Sequence, residues 1–254
     1  MEITHIGGPT AVISLGGLTF LTDPAFDEPQ DYALPGGRVM TKLTGPAIPA
    51  AELGPVDVVL LSHDQHKDNL DDAGRTLLSS VPTVLSTPGA ATRIPGVRGV
   101  ENWESIELPR PDGGVITVTG VPALHGPEGA EAVVGVVTGF VLSGEGLPTV
   151  YVSGDNASLD LVKEIADRFT PIDVAVLFAG AARTALLDGA ALTLTSEAAV
   201  EAARLLGSAT IVPVHTEGWA HFTDGPDQFV KTFREAGLAD RVRLLDHGVA
   251  TTVG

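Results

Sequence analysis

Cysteine is absent from the chain, which excludes disulfides and thiolate ligands. Any metal site must therefore use histidine, carboxylate or amide side chains. Basic residues are scarce: 15 lysines and arginines stand against 32 aspartates and glutamates, a formal net charge of -17. Such a field repels polyanions, so nucleic acid is not expected as a partner. It leaves a small-molecule substrate open, because a bound dication reverses the local field of a site. The same acidity is also what an acid-biased proteome would produce. No run reaches the ~18 consecutive apolar residues that suggest a membrane span. The first residues, Met1 to Val12, lack the basic and apolar runs of a signal peptide, so a cytoplasmic location is expected.

Apolar residues make up 44% and charged residues 19%, a globular composition. The length of 254 residues suits one hydrophobic core, and a single domain over 1–254 is expected. Apolar runs separated by Gly-Gly turns predict strands over Glu2–Ile6, Ala11–Leu15 and Leu18–Thr22. The segment from Asp23 to Pro55 has little periodicity and reads as a long loop, of the kind that usually carries function. Val56 to Leu61 reads as a buried strand, followed by a helix over Asp71–Ser80. Strands follow near Thr83–Ser86, Ser105–Leu108, Val115–Val121, Val133–Leu142, Thr149–Ser153, Val174–Phe178 and Thr210–Val214. Helices are expected over Ser158–Phe169, Thr195–Leu206 and Asp224–Ala236, with Ser158 and Thr195 as N-terminal caps, and two short strands at the end. This α/β (α+β) alternation implies two sheets with helices outside.

Four of these strands end in residues that can hold a metal. They deliver His63, His66 and Asp68, then His125, Asp155 and His215. A lone histidine at a strand end is more often a hydrogen-bonded structural residue; six donors at four strand ends are not so explained. Imidazole and carboxylate ligands suit one or two divalent ions, zinc first, manganese or iron next. Such ions lower the pKa of a shared water and make it a nucleophile. His5, His221 and His247 are read as structural, although His221 is close enough in sequence to His215 to reach a pocket mouth.

These residues resemble the metallo-β-lactamase superfamily, whose signature is His-x-His-x-Asp-His after a buried strand. Within it the chain looks like the branch of ascorbate-phosphate lactonase and N-acyl-phosphatidylethanolamine phospholipase D. The resemblance covers Leu15 to Pro24, Val56 to Asp71, Val152 to Asp155, and Leu194 to Ala199 leading to Val212–His215. It implies an αββα sandwich of two mixed sheets with metals at one edge. His63, His66 and His125 would serve a first metal. Asp68, His215 and Asn69 would serve a second, with Asp155 bridging.

The chain departs from the pattern in four places. His63 and His66 lie three apart, with Gln65 in the expected slot. Asn69 stands where the last histidine should be, Lys67 adds a nearby cation, and Gly8-Pro9-Thr10 replaces His-Ala-Thr. The resemblance implies a metal-dependent hydrolase of a small ester, lactone or phosphodiester, with Asp68 or Asp155 as general base. The alternative is a non-catalytic metal- or ligand-binding protein on the same fold. The 23–55 segment, the Gly126-Pro127-Glu128 loop and the aromatic pair Trp219 and Phe222 are candidate substrate walls. A homo-oligomer is compatible with the fold.

Overall fold

The structure is a computed structural model that describes residues 1–254. In chain order the strands of its first half are β1 (Glu2–Gly7), β2 (Thr10–Leu15), β3 (Leu18–Thr22), β4 (Gln30–Leu34), β5 (Arg38–Lys42), β6 (Val58–Leu60), β7 (Thr83–Ser86) and β8 (Val97–Gly99). The remainder are β9 (Ser105–Pro109), β10 (Val115–Ala123), β11 (Val137–Ser143), β12 (Val150–Val152), β13 (Val174–Phe178), β14 (Thr210–Val214) and β15 (Thr251–Thr252). Six helices accompany them: α1 (Asp72–Leu78), α2 (Pro88–Arg93), α3 (Glu131–Val134), α4 (Leu159–Arg168), α5 (Ser196–Leu205) and α6 (Pro226–Glu235).

The strands form two mixed sheets, ordered β15-β1-β2-β3-β6-β7-β8 and β14-β13-β12-β11-β10-β9. Strand alternation explains how they stack. Val174, Val176 and Phe178 of β13 face the first sheet, where they meet Ile13, Phe20, Val58 and Leu60. The intervening Ala175 and Leu177 face the other way, onto Val162 and Ile165 of α4, Ala199 and Ala203 of α5, and Phe229 and Phe233 of α6. On the far side of the first sheet, Leu21, Val59 and Leu61 pack with Leu78 and Ile94, beside α1 and α2. Period-2 burial on both faces of each central strand requires a four-layer α-β-β-α stack.

The caps expected from sequence are formed. Ser158 accepts from the Leu161 amide at 3.3 Å and Thr195 from the Ala198 amide at 3.1 Å. Three expectations are corrected. The 23–55 segment is not a plain loop: β4 and β5 pair as a separate hairpin around Gly36-Gly37, both glycines at positive φ. Val133 belongs to α3, and the strand expected to begin there begins at Val137. The chain closes with one short strand, β15, while Val242 only bridges to Ile211. Helix α2 and strand β8 were not anticipated.

Both sheets are parallel on one side of their centre: β3, β6, β7 and β8 in the first, β12, β13 and β14 in the second. Parallel strands end together, and the loops leaving β6, β12 and β14 carry the candidate ligands.

Candidate metal centre

His63 lies three residues beyond the end of β6 and its ring is fully buried. The Ser62 amide and hydroxyl both donate to the Asp23 carboxylate, at 2.5 and 2.6 Å. With its proton committed to Asp23, the Ser62 hydroxyl accepts from Nδ1 of His63 at 2.9 Å. That leaves Nε2 of His63 as a bare lone pair pointing into the site. His125, just beyond β10, is held the same way. Its Nδ1 donates to the Leu192 carbonyl at 2.8 Å, which leaves its Nε2 free.

Both lone pairs point at one atom, Nδ1 of His66, at 2.9 and 3.2 Å. One proton cannot satisfy three such nitrogens. A divalent ion can: metal–nitrogen bonds of about 2.0–2.1 Å in a tetrahedron put ligands about 3.3 Å apart. Asp155 Oδ2 completes the set at 3.6 Å from Nε2 of His125. The respaced motif therefore still delivers His66, whereas Gln65 turns away, its Oε1 accepting from the Asp64 amide and its amide group lying against Gly135.

A second set lies alongside. Nε2 of His215 is 3.4 Å from Oδ2 of Asp68 and 3.8 Å from Oδ1 of Asp155. His221, read from sequence as structural, brings its Nε2 to 3.0 Å from the same Asp68 oxygen. Asn69 sits between the carboxylates. Its Nδ2 donates to Asp155 Oδ1 and to Asp23 Oδ2, both at 3.1 Å, so the amide nitrogen faces the acids.

Several buried polar atoms here have no hydrogen-bond partner: Oδ1 of Asp68, Oδ2 of Asp155 and both ring nitrogens of His215. Buried polar atoms are rarely left so, and their grouping in one place is the mark of a cation-binding donor set. Burial and the neighbouring rings push the His63 pKa down, and burial lowers His66 as well, keeping both imidazoles neutral. Burial would raise the Asp68 carboxyl, but His215 and His221 hold it well below the usual range. Neutral imidazoles and an ionised carboxylate are the protonation states that metal ligation needs; burial would lower the His215 pKa, but Asp155 and Asp68 hold it above the usual value, so a metal there would displace a proton. Burial pushes Asp23 up to about 7 despite its donors Ser62 and Asn69.

Backbone strain marks the same region. His215 adopts φ +58° and Asp23 φ +25°, in the left-handed range that non-glycine residues avoid at a cost of about 1–3 kcal/mol. The His215 amide is pinned by the Gly8 carbonyl at 2.7 Å. Gly180 lies so close to the His215 carbonyl that a Cβ at 180 would overlap it.

Above the donors opens a cavity of about 780 Å³, with His66, Asp68, His125 and His221 on its floor. Its walls come from the β4–β5 hairpin (Leu34 to Thr41), from α3 and from the 182–186 segment. The Gly126-Pro127-Glu128 loop is not among them; α3, just beyond it, takes that position. Trp219 and Phe222 are not wall residues either. Trp219 is buried and stacks on Tyr32 at 5.7 Å, and Phe222 packs on the His215 ring at 4.2 Å. Asp23 and Ser62 had no role assigned from sequence, although Asp23 belongs to the Thr-Asp-Pro turn that carried the resemblance. The signal for His221 was its spacing from His215.

Comparisons with known proteins bear on the family and the fold. The family described as Beta-lactamase superfamily domain matches residues 19–216. A UPF0173 metal-dependent hydrolase of Methanoculleus marisnigri is 32% identical, covering 88% of this chain and 93% of that one. Another, of Rubrobacter xylanophilus, is 26% identical over 97% of this chain and 94% of its own. Among solved structures, a possible metal-dependent hydrolase of Veillonella parvula superposes with a TM-score of 0.83 at 21% identity, covering 100% of this chain and 99% of that one. An isothiocyanate hydrolase from Delia radicum gut bacteria does so at 0.81 and 23%, with the same coverage. The αββα sandwich, the donors at its strand ends and these relatives lead to one conclusion: the chain belongs to the metallo-β-lactamase superfamily, beside relatives named as metal-dependent hydrolases.

Proposed function

We propose that the chain is a hydrolase that attacks an electrophilic carbon in a small substrate with an apolar substituent, using two adjacent divalent-ion sites. The observation that carries this is the pair of donor sets on one cavity floor, joined by Asp155. His63, His66, His125 and Asp155 would hold one ion. Asp68, Asp155, His215 and His221 would hold the other, with His221 supplying the nitrogen that position 69 lacks. The ions would supply Lewis acidity and a water of lowered pKa. Asp68, ionised and with a free Oδ1, takes the proton of the attacking water. Asn69 keeps Asp155 and Asp23 in place through its two donated hydrogen bonds.

The cavity wall supports a preference among substrate classes. Val39, Val133 and Leu186 line it and are about half exposed, giving an apolar rim. Of its three cations only one has a carboxylate partner. Lys67 pairs with Asp72, Arg183 donates to the Gly189 carbonyl and Thr223, and Arg38 donates to the Pro35 carbonyl. The apolar rim suits an ester, a lactone or an isothiocyanate with an apolar tail; Arg38 and Arg183, whose charges are unpaired, make a phosphodiester the competing class. The similarity to an isothiocyanate hydrolase supports including that group.

The test is turnover by zinc-, manganese- or iron-loaded protein of an alkyl ester, a γ-lactone, an alkyl isothiocyanate and an aryl phosphodiester. Hydrolysis of at least one carbon electrophile, well ahead of the phosphodiester, is expected. Preference for the phosphodiester would overturn the substrate reading. Bound metal with no turnover would replace the enzyme by a metal-binding protein. A H221A variant that keeps the metal content of the parent would remove His221 from the ligand set.

A further inference from the structure

A second group of metal-capable side chains lies away from the cavity. His5 is on β1, His247 is in the C-terminal segment that bridges to it, and Glu217 is two residues beyond His215. Their nearest nitrogen and oxygen atoms all lie within 4.8 Å of one another. The side chain of His5 is 4% exposed, whereas Glu217 and His247 are 33% and 41% exposed, so the group is open to solvent on one side.

The tautomer of His5 is determined by its neighbours. Its Nε2 lies 3.0 Å from the Gly8 carbonyl, which can only accept, so Nε2 carries the proton. Burial pushes the His5 pKa down to about 4, so the ring is neutral near pH 7. Nδ1 is therefore a lone pair, and it faces Oε1 of Glu217 at 4.0 Å. A protonated His247 neutralises the carboxylate but offers nothing to Nδ1 of His5, whereas a divalent ion would serve all three side chains. The gap is too long for a hydrogen bond. It lies between the ~3.3 Å of adjacent tetrahedral ligands and the ~4.2 Å of ligands opposed across one ion, so a small shift of Glu217 would complete the set. His247 approaches the same carboxylate through Nε2, with its ring edge-on to His5 at 4.6 Å between centroids.

We propose that His5, Glu217 and His247 bind one divalent transition-metal ion, separate from the ions of the cavity floor. Two imidazoles and one carboxylate leave positions open for water on the exposed side, and this donor set suits zinc, cobalt or nickel. The ion clips three segments together: β1, the C-terminal segment and the loop that carries His215. The coupling to the cavity is short, because the Gly8 carbonyl that fixes His5 also fixes the His215 amide at 2.7 Å. A loaded clip holds that strained loop in place.

Equilibrium dialysis of the full chain against low-micromolar zinc, with metal counted by atomic emission, tests this. His247→Gln should bind one equivalent fewer than the parent, and Glu217→Gln should do the same. Both are partly exposed positions, and circular dichroism checks that they fold. His125→Ala should lose its metal independently, so that the losses in H125A/H247Q add. The result is separable from the proposed hydrolysis, since it counts metal and not turnover. Equal zinc in the parent and in both folded variants would overturn the proposal, leaving Glu217 and His247 as an ion pair only.

Discussion

Asn69 shows what a single side chain at this centre does. It occupies the slot of a histidine in the motif, yet its amide nitrogen donates to two buried carboxylates. Removing it should not remove metal; it should remove stability. Asn69→Ala leaves Asp23 and Asp155 short of a donor, an effect of about 1–3 kcal/mol. Urea denaturation of the metal-free protein is the measurement, with metal content as control. A variant that keeps its stability but loses an ion would make Asn69 a ligand. The candidate ligands were legible because each follows an apolar strand. Ser62 and Asp23 were not, since their importance lies in a hydrogen-bond chain from His63 that joins residues 39 positions apart. The orientation of Asn69 was equally hidden, because an amide presents an acceptor and a donor with the same atoms in sequence.

Among the elements, α1 is the most exposed to test. Its Gly74 is a poor helix residue, and propensity alone predicts that Gly74→Ala stabilises by up to about 1 kcal/mol. The structure predicts the reverse. A Cβ at 74 would run into the Pro24 carbonyl, where the helix packs against the turn that carries Asp23. Gly74→Ala should therefore lower the thermal midpoint clearly; a rise would show that α1 can shift outward without loss. The hairpin β4–β5 depends on a buried pair. Lys42 Nζ donates to Asp71 at 2.9 Å and to the Ala25 carbonyl at 3.0 Å, tying the hairpin to the cap of α1. Lys42→Met leaves the Asp71 carboxylate without its cation, though it keeps the amides of Asp27 and Gly74. Breaking such a pair costs about 3–5 kcal/mol, and limited proteolysis should then cut first within residues 30–42. Protection equal to the parent would refute the tie. This hairpin was missed in sequence because its strands carry Gln, Asp, Arg and Lys rather than an apolar face: only Tyr32 and Lys42 of its ten residues are buried. The sandwich strands, by contrast, were legible from their apolar runs.

For the whole molecule, charge and metal act in the same direction. The net charge of -17 is carried by a protein that also buries Asp23, Asp68 and Asp155 in one place. Chelation should lower the thermal midpoint, by about 1.4 kcal/mol of stability for each tenfold of free metal above the dissociation constant. Added sodium chloride should raise the midpoint of the chelated protein, because it shortens the Debye length from about 10 Å at 0.1 M toward 3 Å at 1 M. A chelated protein indifferent to salt would mean that self-repulsion is unimportant here. The layered architecture was readable from strand and helix alternation. Which strand ends met could not be read, because that depends on sheet order.

The donor sets are drawn from both sheets. His63, His66 and Asp68 leave the first; His125, Asp155 and His215 leave the second. Neither sheet supplies every member of either proposed set, so the centre is assembled only when the two sheets pack together. Loosening the packing between the sheets should therefore weaken metal binding before it unfolds either sheet.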